Sequence, residues 1–280
     1  MKIIALATCH NRCKLTLRSI KSILEQSLPS ECSLEICLVD DGSIDGTGDA
    51  IRKTFPNVKI LEGDGNLYWA GGMCFGWDNY AQNQDMDYLL VFNDDIELFP
   101  NSIIKLLEAA VEVTASGTDA YAISGAFRVP GSAQIAYGGV VRDSWWHRLR
   151  FKKIRPLGFI QDCDTLNMNL ALISSQALNK VGFFSRDFTH AGADFDFGLR
   201  LRQAGGRVIL ANDYMGECNI NSTRGTSAEL GISFKERWHR LTSIKEQPFR
   251  QRALYYRRHG GLLWPLLWVL PYVRIWFSGR

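Results

Sequence analysis

The sequence lacks three patterns that would assign it to common classes of protein. Its seven cysteines form no C-x-x-C pair, which argues against a zinc site or a disulfide framework and favours a reducing, cytosolic location. No G-x-G-x-x-G segment follows the first predicted strand, so a Rossmann-type NAD site is not expected. No uninterrupted apolar run reaches the ~20 residues of a membrane-spanning helix, and the N-terminal apolar stretch is too short for a signal peptide.

The charge is small overall and unevenly distributed. The 280-residue chain has a formal net charge of +3, but residues 235–280 contain ten Lys or Arg against two Glu, which leaves the rest of the chain net acidic. We expect the basic segment to contact an anionic surface. A nucleic-acid partner is not expected, because the basic residues lie beside tryptophan-rich apolar sequence and the body of the protein is not basic.

Short apolar runs alternate with helical patterns in the first 115 residues. Strands are predicted at residues 3–7, 34–39, 58–61 and 88–92, with helices between them. This alternation predicts an α/β fold with a mostly parallel central sheet flanked by helices, in which residues 1–115 form a nucleotide-binding half. Later segments, near residues 120–129, 133–141 and 165–173, also have the pattern of strands.

Acidic residues follow two of these strands. Asp40 and Asp41 end the second strand, and Asn93, Asp94 and Asp95 end the fourth. Because adjacent carboxylates repel each other, a hard divalent cation that also holds phosphate oxygens is their natural partner at the ligand-binding edge of such a sheet. The alternative is that Asp94 or Asp95 caps the helix whose first turn contains Pro100.

A second acidic cluster opens a predicted helix that ends at residues 205–206. Asp194 lies where this helix begins, so it is either a functional acid or a helix N-cap. Asp196 is expected to have an intrahelical or capping role, and a lone histidine such as His190 is more often structural than catalytic. Upstream, residues 142–155 hold six cationic residues and two adjacent tryptophans. One possibility is that they bind an anionic acceptor or the face of a membrane. The other is that they form a solvated loop with a buried tryptophan.

Five segments together resemble the family 2 glycosyltransferases with the GT-A fold. They are T-C-H-N-R (residues 8–12), V-D-D-G-S-I-D-G-T (39–47), G-N-L-Y-W-A-G-G-M (65–73), F-N-D-D-I (92–96) and A-D-F-D-F-G-L-R-L-R-Q-A-G (193–205). The resemblance covers roughly residues 1–212, with the family's order and spacing. The glycine-rich third segment is most similar to bacterial rhamnosyltransferase-type enzymes of surface polysaccharide synthesis.

The resemblance implies roles for individual residues. Donor binding is expected of Thr8, Asp40, Asp41, Asn66 and Asp94. Asp95 would hold a Mg²⁺ or Mn²⁺ ion that bridges the donor's diphosphate, and Asp194 would be the general base that deprotonates the acceptor hydroxyl. Trp69 and His190 are predicted for the sugar or acceptor pocket.

Three positions depart from the family's pattern. Asn93 stands where many D-x-D motifs have their first acid, and Ala193 replaces the Glu that precedes the base. The His often found after the following strand as a further metal contact is absent from residues 215–219. We expect weak metal affinity, or Glu217 or water as a further ligand.

The last 50 residues are basic and rich in tryptophan. Residues 231–280 are predicted to be a helical segment that associates with the membrane, with Arg250, Arg252, Arg257 and Arg258 facing anionic lipid. The alternative is that these helices pack on the catalytic domain or across a homodimer. In the first case the protein lies on the cytoplasmic face of the cell membrane.

These expectations give one function and two competitors. The predicted protein is an inverting, metal-dependent glycosyltransferase with a GT-A domain at residues 1–230, of which residues 116–230 form the acceptor-binding half. It would move a sugar from a UDP- or dTDP-sugar, such as dTDP-rhamnose, to a saccharide or lipid-linked saccharide in cell-surface polysaccharide synthesis. The competitors are a catalytically degenerate membrane-associated scaffold and a nucleotidyltransferase, although residues 9–12 lack the glycine-rich loop that the latter is expected to carry.

Overall fold

The N-terminal part of the chain folds as alternating strands and helices. A computed structural model describes residues 1–220 and 222–278. The first strands are β1 (Lys2–Cys9), β2 (Ser33–Asp40), β3 (Lys59–Glu62) and β4 (Tyr88–Phe92), and the helices between them are α1 (Cys13–Leu24), α2 (Thr47–Thr54) and α3 (Tyr68–Asn79). The strands pair in the order β4-β1-β2-β3 and every pair is parallel, as predicted.

The middle of the chain adds shorter strands and three helices. The strands are β5 (Glu97–Leu98), β6 (Tyr121–Arg128), β7 (Ile135–Tyr137), β8 (Gly139–Arg142), β9 (Phe151–Lys153), β10 (Gln161–Asp162), β11 (Thr165–Leu166), β12 (Leu170–Ser174) and β13 (Arg207–Glu217). The helices are α4 (Ser102–Ala115), α5 (Ser175–Val181) and α6 (Ala193–Gln203). One sheet continues through both parts in the order β10-β13-β6-β12-β4-β1-β2-β3, with β5 and β7 at its margin.

The direction of the sheet changes at β4. This strand is parallel to β1 on one side and antiparallel to β12 on the other, so the sheet is parallel in its first half and mixed in its second. The carboxyl end of β4 therefore lies beside the beginning of β12, with Phe92 opposite Leu170. Segments from both halves of the chain meet at this edge.

Helices cover both faces of the sheet. In β1, Ile3, Ala5 and Ala7 belong to one buried cluster with α1 and α4, and Ile4 and Leu6 belong to another with α3, α5 and α6. The alternation follows from the two-residue period of a strand. A strand that is buried on both faces must be apolar throughout, which is why the run in β4 is continuous.

One predicted strand is broken in the structure. Residues 165–173 were expected to form a single strand, but β11 and β12 are separate, and β11 pairs with β8 in a small sheet of order β11-β8-β9. Asn167, Met168 and Asn169 connect the two sheets. The alternation of polar and apolar residues with a period of two continues across the break between β11 and β12, so the sequence pattern does not show where the strand is interrupted.

Three helices follow the sheet. They are α7 (Phe234–Leu241), α8 (Phe249–His259) and α9 (Trp264–Ser278). The buried side chain of Tyr255 in α8 packs on Phe188 with ring centroids 6.2 Å apart, so α8 packs against the body of the protein that contains the sheet. Helix α9 packs on α7, with Tyr272 and Ile275 clustered around Leu241. None of the helices in the described ranges is long and apolar enough to cross a membrane.

The prediction that four arginines of this segment face lipid is wrong for two of them. Arg252 is buried and donates to the carbonyl oxygens of Leu241 and Glu246. Arg258 forms ion pairs with Asp187 and Asp196. A periodic helix exposes only one face, and these two arginines lie where α8 meets the body of the protein. Gly279 and Arg280, the end of the predicted segment, lie outside the described residues.

Candidate active site

An open cleft of about 420 Å³ lies at the carboxyl end of β4. Five of the residues singled out from the sequence line it, namely Trp69, Asp94, Asp95, His190 and Asp194. They come from three separate segments of the chain, which the change of direction at β4 brings to one edge of the sheet. The other predicted donor residues, Thr8, Asp40, Asp41 and Asn66, are not among the residues that line this cleft.

Two adjacent carboxylates in the cleft share one arginine. Nη1 of Arg12 donates to Oδ1 of Asp94 at 3.1 Å and to Oδ2 of Asp95 at 3.0 Å. Burial raises the pKa of Asp94 to about 6, an effect that Arg12 opposes and Asp95 reinforces. The helix-capping alternative is wrong, because α4 begins after Asn101 and no side chain caps it. Arg12 was given no role from the sequence. Its position could have indicated one, because it follows β1, the parallel neighbour of β4, and so lies at the same edge of the sheet as Asp94 and Asp95.

The carboxylate pair fits a hard divalent cation. Oδ1 of Asp95 is buried and is one of the few buried side-chain oxygens with no hydrogen-bond partner in the described part of the chain. Carboxylate oxygens are the ligands that Mg²⁺ and Mn²⁺ prefer. No group of three acidic, His or Cys side chains suited to a metal occurs within residues 1–220 and 222–278. A metal held by Asp94 and Asp95 would therefore complete its shell with ligand phosphate oxygens and water.

Glu217, the predicted further metal ligand, has another partner. Its carboxylate accepts a hydrogen bond from Nε of Arg128 at 3.0 Å. The ion pair is partly exposed, and Glu217 lies along a different cleft that it shares with Asp95. The structure thus gives Glu217 a partner of its own.

Asp41 holds the loop at residues 65–68 in place. Its buried carboxylate accepts backbone hydrogen bonds from Gly65 at 2.9 Å, Leu67 at 3.0 Å and Tyr68 at 3.0 Å. The backbone of this loop also packs against Gly42, where φ is +65° and an added Cβ would lie 2.8 Å from the nitrogen of Gly65. Three of the roughly four lone-pair positions of the carboxylate are used in this way, and base binding by Asp41 stays a prediction.

The remaining residues predicted to bind the donor are Thr8, Asp40 and Asn66. Thr8 is buried against Gly72 of α3, where an added Cβ would lie 2.3 Å from Oγ1 of Thr8. Asp40 is buried and accepts from the backbone N–H of Ser43 at 3.1 Å. Asn66 is exposed at the tip of the loop. Their contacts with a donor also stay predictions.

Asp194 lies in the first turn of α6 and lines the same cleft. The N-cap residue of this helix is Gly192, so the alternative that Asp194 is the N-cap is wrong. Burial raises the pKa of Asp194 to about 6, although backbone N–H groups of Phe195 and Met168 and the side chain of Asn167 oppose the rise. A carboxylate with a pKa near neutral pH is suited to accept a proton from a bound hydroxyl.

Asp196, two residues later, is turned away from the cleft into the protein. Its fully buried carboxylate accepts from Nε of Arg200 at 2.8 Å and is 2.9 Å from Nε2 of His259. Arg258 adds a longer contact at 3.4 Å. Burial acts to raise the pKa of Asp196, but its contacts with His259 and Arg200 hold that pKa below its ordinary value. The intrahelical role predicted for Asp196 is confirmed, and the contact with α8 is additional.

Trp69 and His190 are linked to each other and to β4. Nε1 of Trp69 donates to Oδ1 of Asn93 at 2.9 Å, and its backbone N–H points at Nδ1 of His190 at 3.4 Å. Burial, with Lys245 and Arg12 nearby, lowers the pKa of His190. The imidazole is therefore neutral at pH 7, with Nδ1 as an acceptor, which suits a group that hydrogen-bonds an uncharged ligand.

The C-terminal segment reaches the cleft, which the sequence analysis did not foresee. Lys245 lines it. Gln247 is buried and donates to the carbonyl oxygen of Ala191 at 3.2 Å, while Gln251 bonds both the backbone N–H and the side chain of Thr189. The loop that precedes Asp194 is thus held by residues from the segment that was interpreted as a membrane anchor. No local pattern signals such a contact, because it joins residues about 60 positions apart.

Comparisons with known proteins agree with the fold. The model of glycosyl transferase family 2 matches residues 5–174, and that of glycosyl transferase family group 2 matches residues 168–277. An N-acetylglucosaminyl-diphospho-decaprenol L-rhamnosyltransferase from Mycobacterium tuberculosis is 27% identical over 206 residues. That alignment covers 64% of this chain and 64% of the relative, so the chain spans less than two thirds of the relative's length.

Two further relatives have less specific names or more distant sequences. An uncharacterized glycosyltransferase from Mycoplasma pneumoniae is 30% identical over 111 residues, which cover 38% of this chain and 36% of that protein. A mannosyltransferase from Pyrobaculum calidifontis, solved in complex with GDP-Man and Mn²⁺, has a TM-score of 0.58 at 18% identity, covering 95% of this chain and 67% of that one. The structural likeness confirms the predicted GT-A fold.

Proposed function

Because the chain belongs to glycosyl transferase family 2, we propose that it is an inverting, metal-dependent glycosyltransferase that uses a UDP- or dTDP-sugar. The observation that carries this proposal is that Asp94, Asp95 and Asp194 line one cleft. An inverting transfer needs a base on one side of the sugar and charge neutralisation at the diphosphate on the other. The cleft holds side chains of both kinds.

In this proposal each wall of the cleft has one task. Asp95 would hold Mg²⁺ or Mn²⁺, which would supply a Lewis acid for the departing nucleoside diphosphate, and Asp94 beside it would contact the donor. Asp194 takes the proton from the acceptor hydroxyl as its oxygen bonds to the anomeric carbon and the bond from that carbon to the diphosphate breaks. Arg12 neutralises the two carboxylates before the donor arrives. Neutral His190 and Trp69 orient the sugar.

The acceptor we propose is a lipid-linked saccharide. The mycobacterial relative is named for an N-acetylglucosaminyl-diphospho-decaprenol acceptor and for L-rhamnose, which supports dTDP-rhamnose as the first donor to test. Helix α9 and the turn before it expose large apolar side chains, including Leu262 at 100%, Leu266 at 67% and Trp276 at 61%. We propose that this exposed apolar face lies on the inner surface of the cell membrane.

The test is ligand binding measured by thermal shift. UDP, dTDP, GDP and NAD are each added with and without Mn²⁺ to the wild type, to Asp95→Ala and to Asp85→Ala, an exposed acid outside the cleft. A ligand at a hundred times its dissociation constant stabilises the native state by ~2.7 kcal/mol. We expect a Mn²⁺-dependent rise with UDP or dTDP in the wild type and Asp85→Ala, and its loss in Asp95→Ala. If no pyrimidine diphosphate raises the midpoint, the degenerate scaffold becomes the better description.

A further inference from the structure

A second cleft, outside the catalytic one, is lined by arginine and tryptophan. It is an open space of about 630 Å³ in the connection between β8 and β9, and its main lining residues are Arg142, Arg148, Arg150, Trp145 and Trp146. We call it the arginine–tryptophan cleft. The sequence alone does not determine whether one of the tryptophans is buried; in the structure Trp145 is 91% exposed and Trp146 is 45% exposed. Large aromatic side chains at this exposure indicate a contact surface.

The cleft has positive charge that the protein does not neutralise. Arg142 pairs with Asp164, and Arg150 pairs with Asp143. Arg148 has no carboxylate within ion-pair distance among the described residues, and its side chain lies on the exposed surface. An arginine fork matches the geometry of phosphate oxygens and can bind them through two hydrogen bonds.

An apolar rim adjoins these arginines. The backbone of Gly261 packs on the stem of Arg148, since an added Cβ would lie 2.9 Å from Cδ of that arginine. The next residues are Leu262, which is fully exposed, and Leu263, which is 43% exposed. A phosphate site and an uncovered hydrocarbon surface are therefore adjacent, although they come from parts of the chain more than 100 residues apart.

The arginine–tryptophan cleft also connects to the catalytic wall. The N–H of Asn167, beside Asp194, bonds the carbonyl oxygen of Gly138 at 3.0 Å, and Arg142 lies four residues further along β8, about 13 Å away at the rise of an extended strand. At the same end, Phe151 contacts the ring of Phe195 edge to face at 5.4 Å. A short saccharide with its diphosphate is of comparable length.

We propose that the arginine–tryptophan cleft binds the diphosphate group of a lipid-linked acceptor, whose hydrocarbon chain leaves over Leu262 and Leu263. The inference rests on the proposed function, because it assigns the second substrate of the same reaction. Arg148 and Arg150 hold the phosphate oxygens. Trp145 lies at the level of the lipid head groups, where tryptophan is favoured. The saccharide then extends toward Asp194.

The experiment compares binding to two kinds of vesicle. Phosphatidylcholine vesicles are doped either with a polyprenyl diphosphate or with enough phosphatidylglycerol to give the same surface charge. The proteins are the wild type, Arg148→Ala/Arg150→Ala, and Lys53→Ala/Lys59→Ala, which removes two exposed cations at the opposite edge of the sheet. We expect the arginine variant to lose roughly tenfold or more in affinity for the diphosphate vesicles, and the lysine variant to bind like the wild type.

Two outcomes would overturn the inference. An equal loss on both kinds of vesicle would mean a general attraction to anionic lipid, and unchanged binding of the arginine variant would mean that the cleft is not the site. A rise in midpoint with donor nucleotide shows that the variant is folded. As a kinetic check, the KM for a lipid-linked acceptor relative to that for a water-soluble saccharide should rise in the arginine variant.

Vesicle binding and sugar transfer together show whether a failure concerns this inference or the proposed function. Arginine-dependent binding of the diphosphate lipid without sugar transfer by the wild type would support the cleft and reject the transferase. If the wild type and the arginine variant both transfer sugar with the same KM for the lipid-linked acceptor, the transferase is supported and the arginine–tryptophan cleft is rejected as the diphosphate site.

Discussion

Replacing Asp196 with asparagine should destabilise the protein by more than any exposed ion pair can explain. The carboxylate of Asp196 is fully buried, and it joins Arg200 within α6 to His259 and Arg258 of α8. The change keeps the size of the side chain and removes its charge. Two guanidinium groups and an imidazole then face a neutral amide in a site from which water is largely excluded.

The expected magnitude follows from the exposure of the partners. Removing one member of a buried ion pair costs about 3–5 kcal/mol. The side chains of Arg200 and Arg258 are 22% and 31% exposed, so water can partly replace the lost carboxylate and the lower end, about 3 kcal/mol, applies. At about 2–4 °C per kcal/mol, the midpoint of thermal unfolding should fall by about 6–12 °C.

Urea unfolding and calorimetry at pH 7 measure the effect, with Asp187→Asn as the control. Asp187 also pairs with Arg258, but its side chain is 49% exposed, and such a pair contributes at most about 1 kcal/mol. The pKa of Asp196 is held below its ordinary value in the folded protein, so its stabilisation is complete above the ordinary pKa of an aspartate and is lost as the pH falls through the folded pKa. The difference between wild type and variant must shrink in that direction. Equal losses in the two variants at pH 7 would refute the reasoning.

Three further predictions concern the catalytic cleft and the membrane face. The kcat/KM for sugar transfer should fall by about tenfold or more per pH unit below pH 6, because the base Asp194 and the donor-site acid Asp94, each with a pKa of about 6, become protonated. Asp194→Asn should be inactive at every pH while keeping the donor-induced thermal shift. Arg12→Gln should bind Mn²⁺ more tightly than the wild type without donor, measured by calorimetry, because Arg12 occupies the carboxylate pair; equal affinity would contradict this. Leu262→Glu/Leu266→Glu should lower sedimentation with anionic vesicles without lowering the unfolding midpoint, because both side chains are exposed; unchanged sedimentation would reject the membrane face.

The parts of the fold that local pattern determines were predictable. The run of residues 88–92 predicted β4 with the boundaries that the structure has, because a strand buried on both faces is apolar throughout and polar residues end it. The start of α6 and the end of that helix before Gly205 were also predictable from the change of periodicity and the glycines. In contrast, the division between β11 and β12 depends on which sheet each segment joins, and alternation is the same in both.

The candidate site was predictable as a set of residues and less so as a set of contacts. Asp94, Asp95 and Asp194 were expected at one cleft and line one cleft. The use of Asp41 to hold the loop at residues 65–68 was not predictable, since a carboxylate that binds backbone N–H groups and one that binds a base look alike in a sequence. Gln247 and Gln251 hydrogen-bond the loop before Asp194. These contacts depend on long-range packing, which no short stretch of sequence indicates.

The arrangement around β4 has a consequence for synthesis of the chain. One edge of this strand is covered only by β12, in which Leu170 pairs with Phe92 and Ser174 pairs with Tyr88. From the synthesis of Phe92 onward, that edge therefore stays uncovered until the chain has been made as far as Ser174, which is also the last residue of the family 2 match. At 5–20 residues per second, the roughly 80 residues between them take the ribosome about 4–16 s. During that interval an apolar strand edge is available to other chains. Fragments that end near residue 115 should aggregate, whereas those that include β12 can close the sheet.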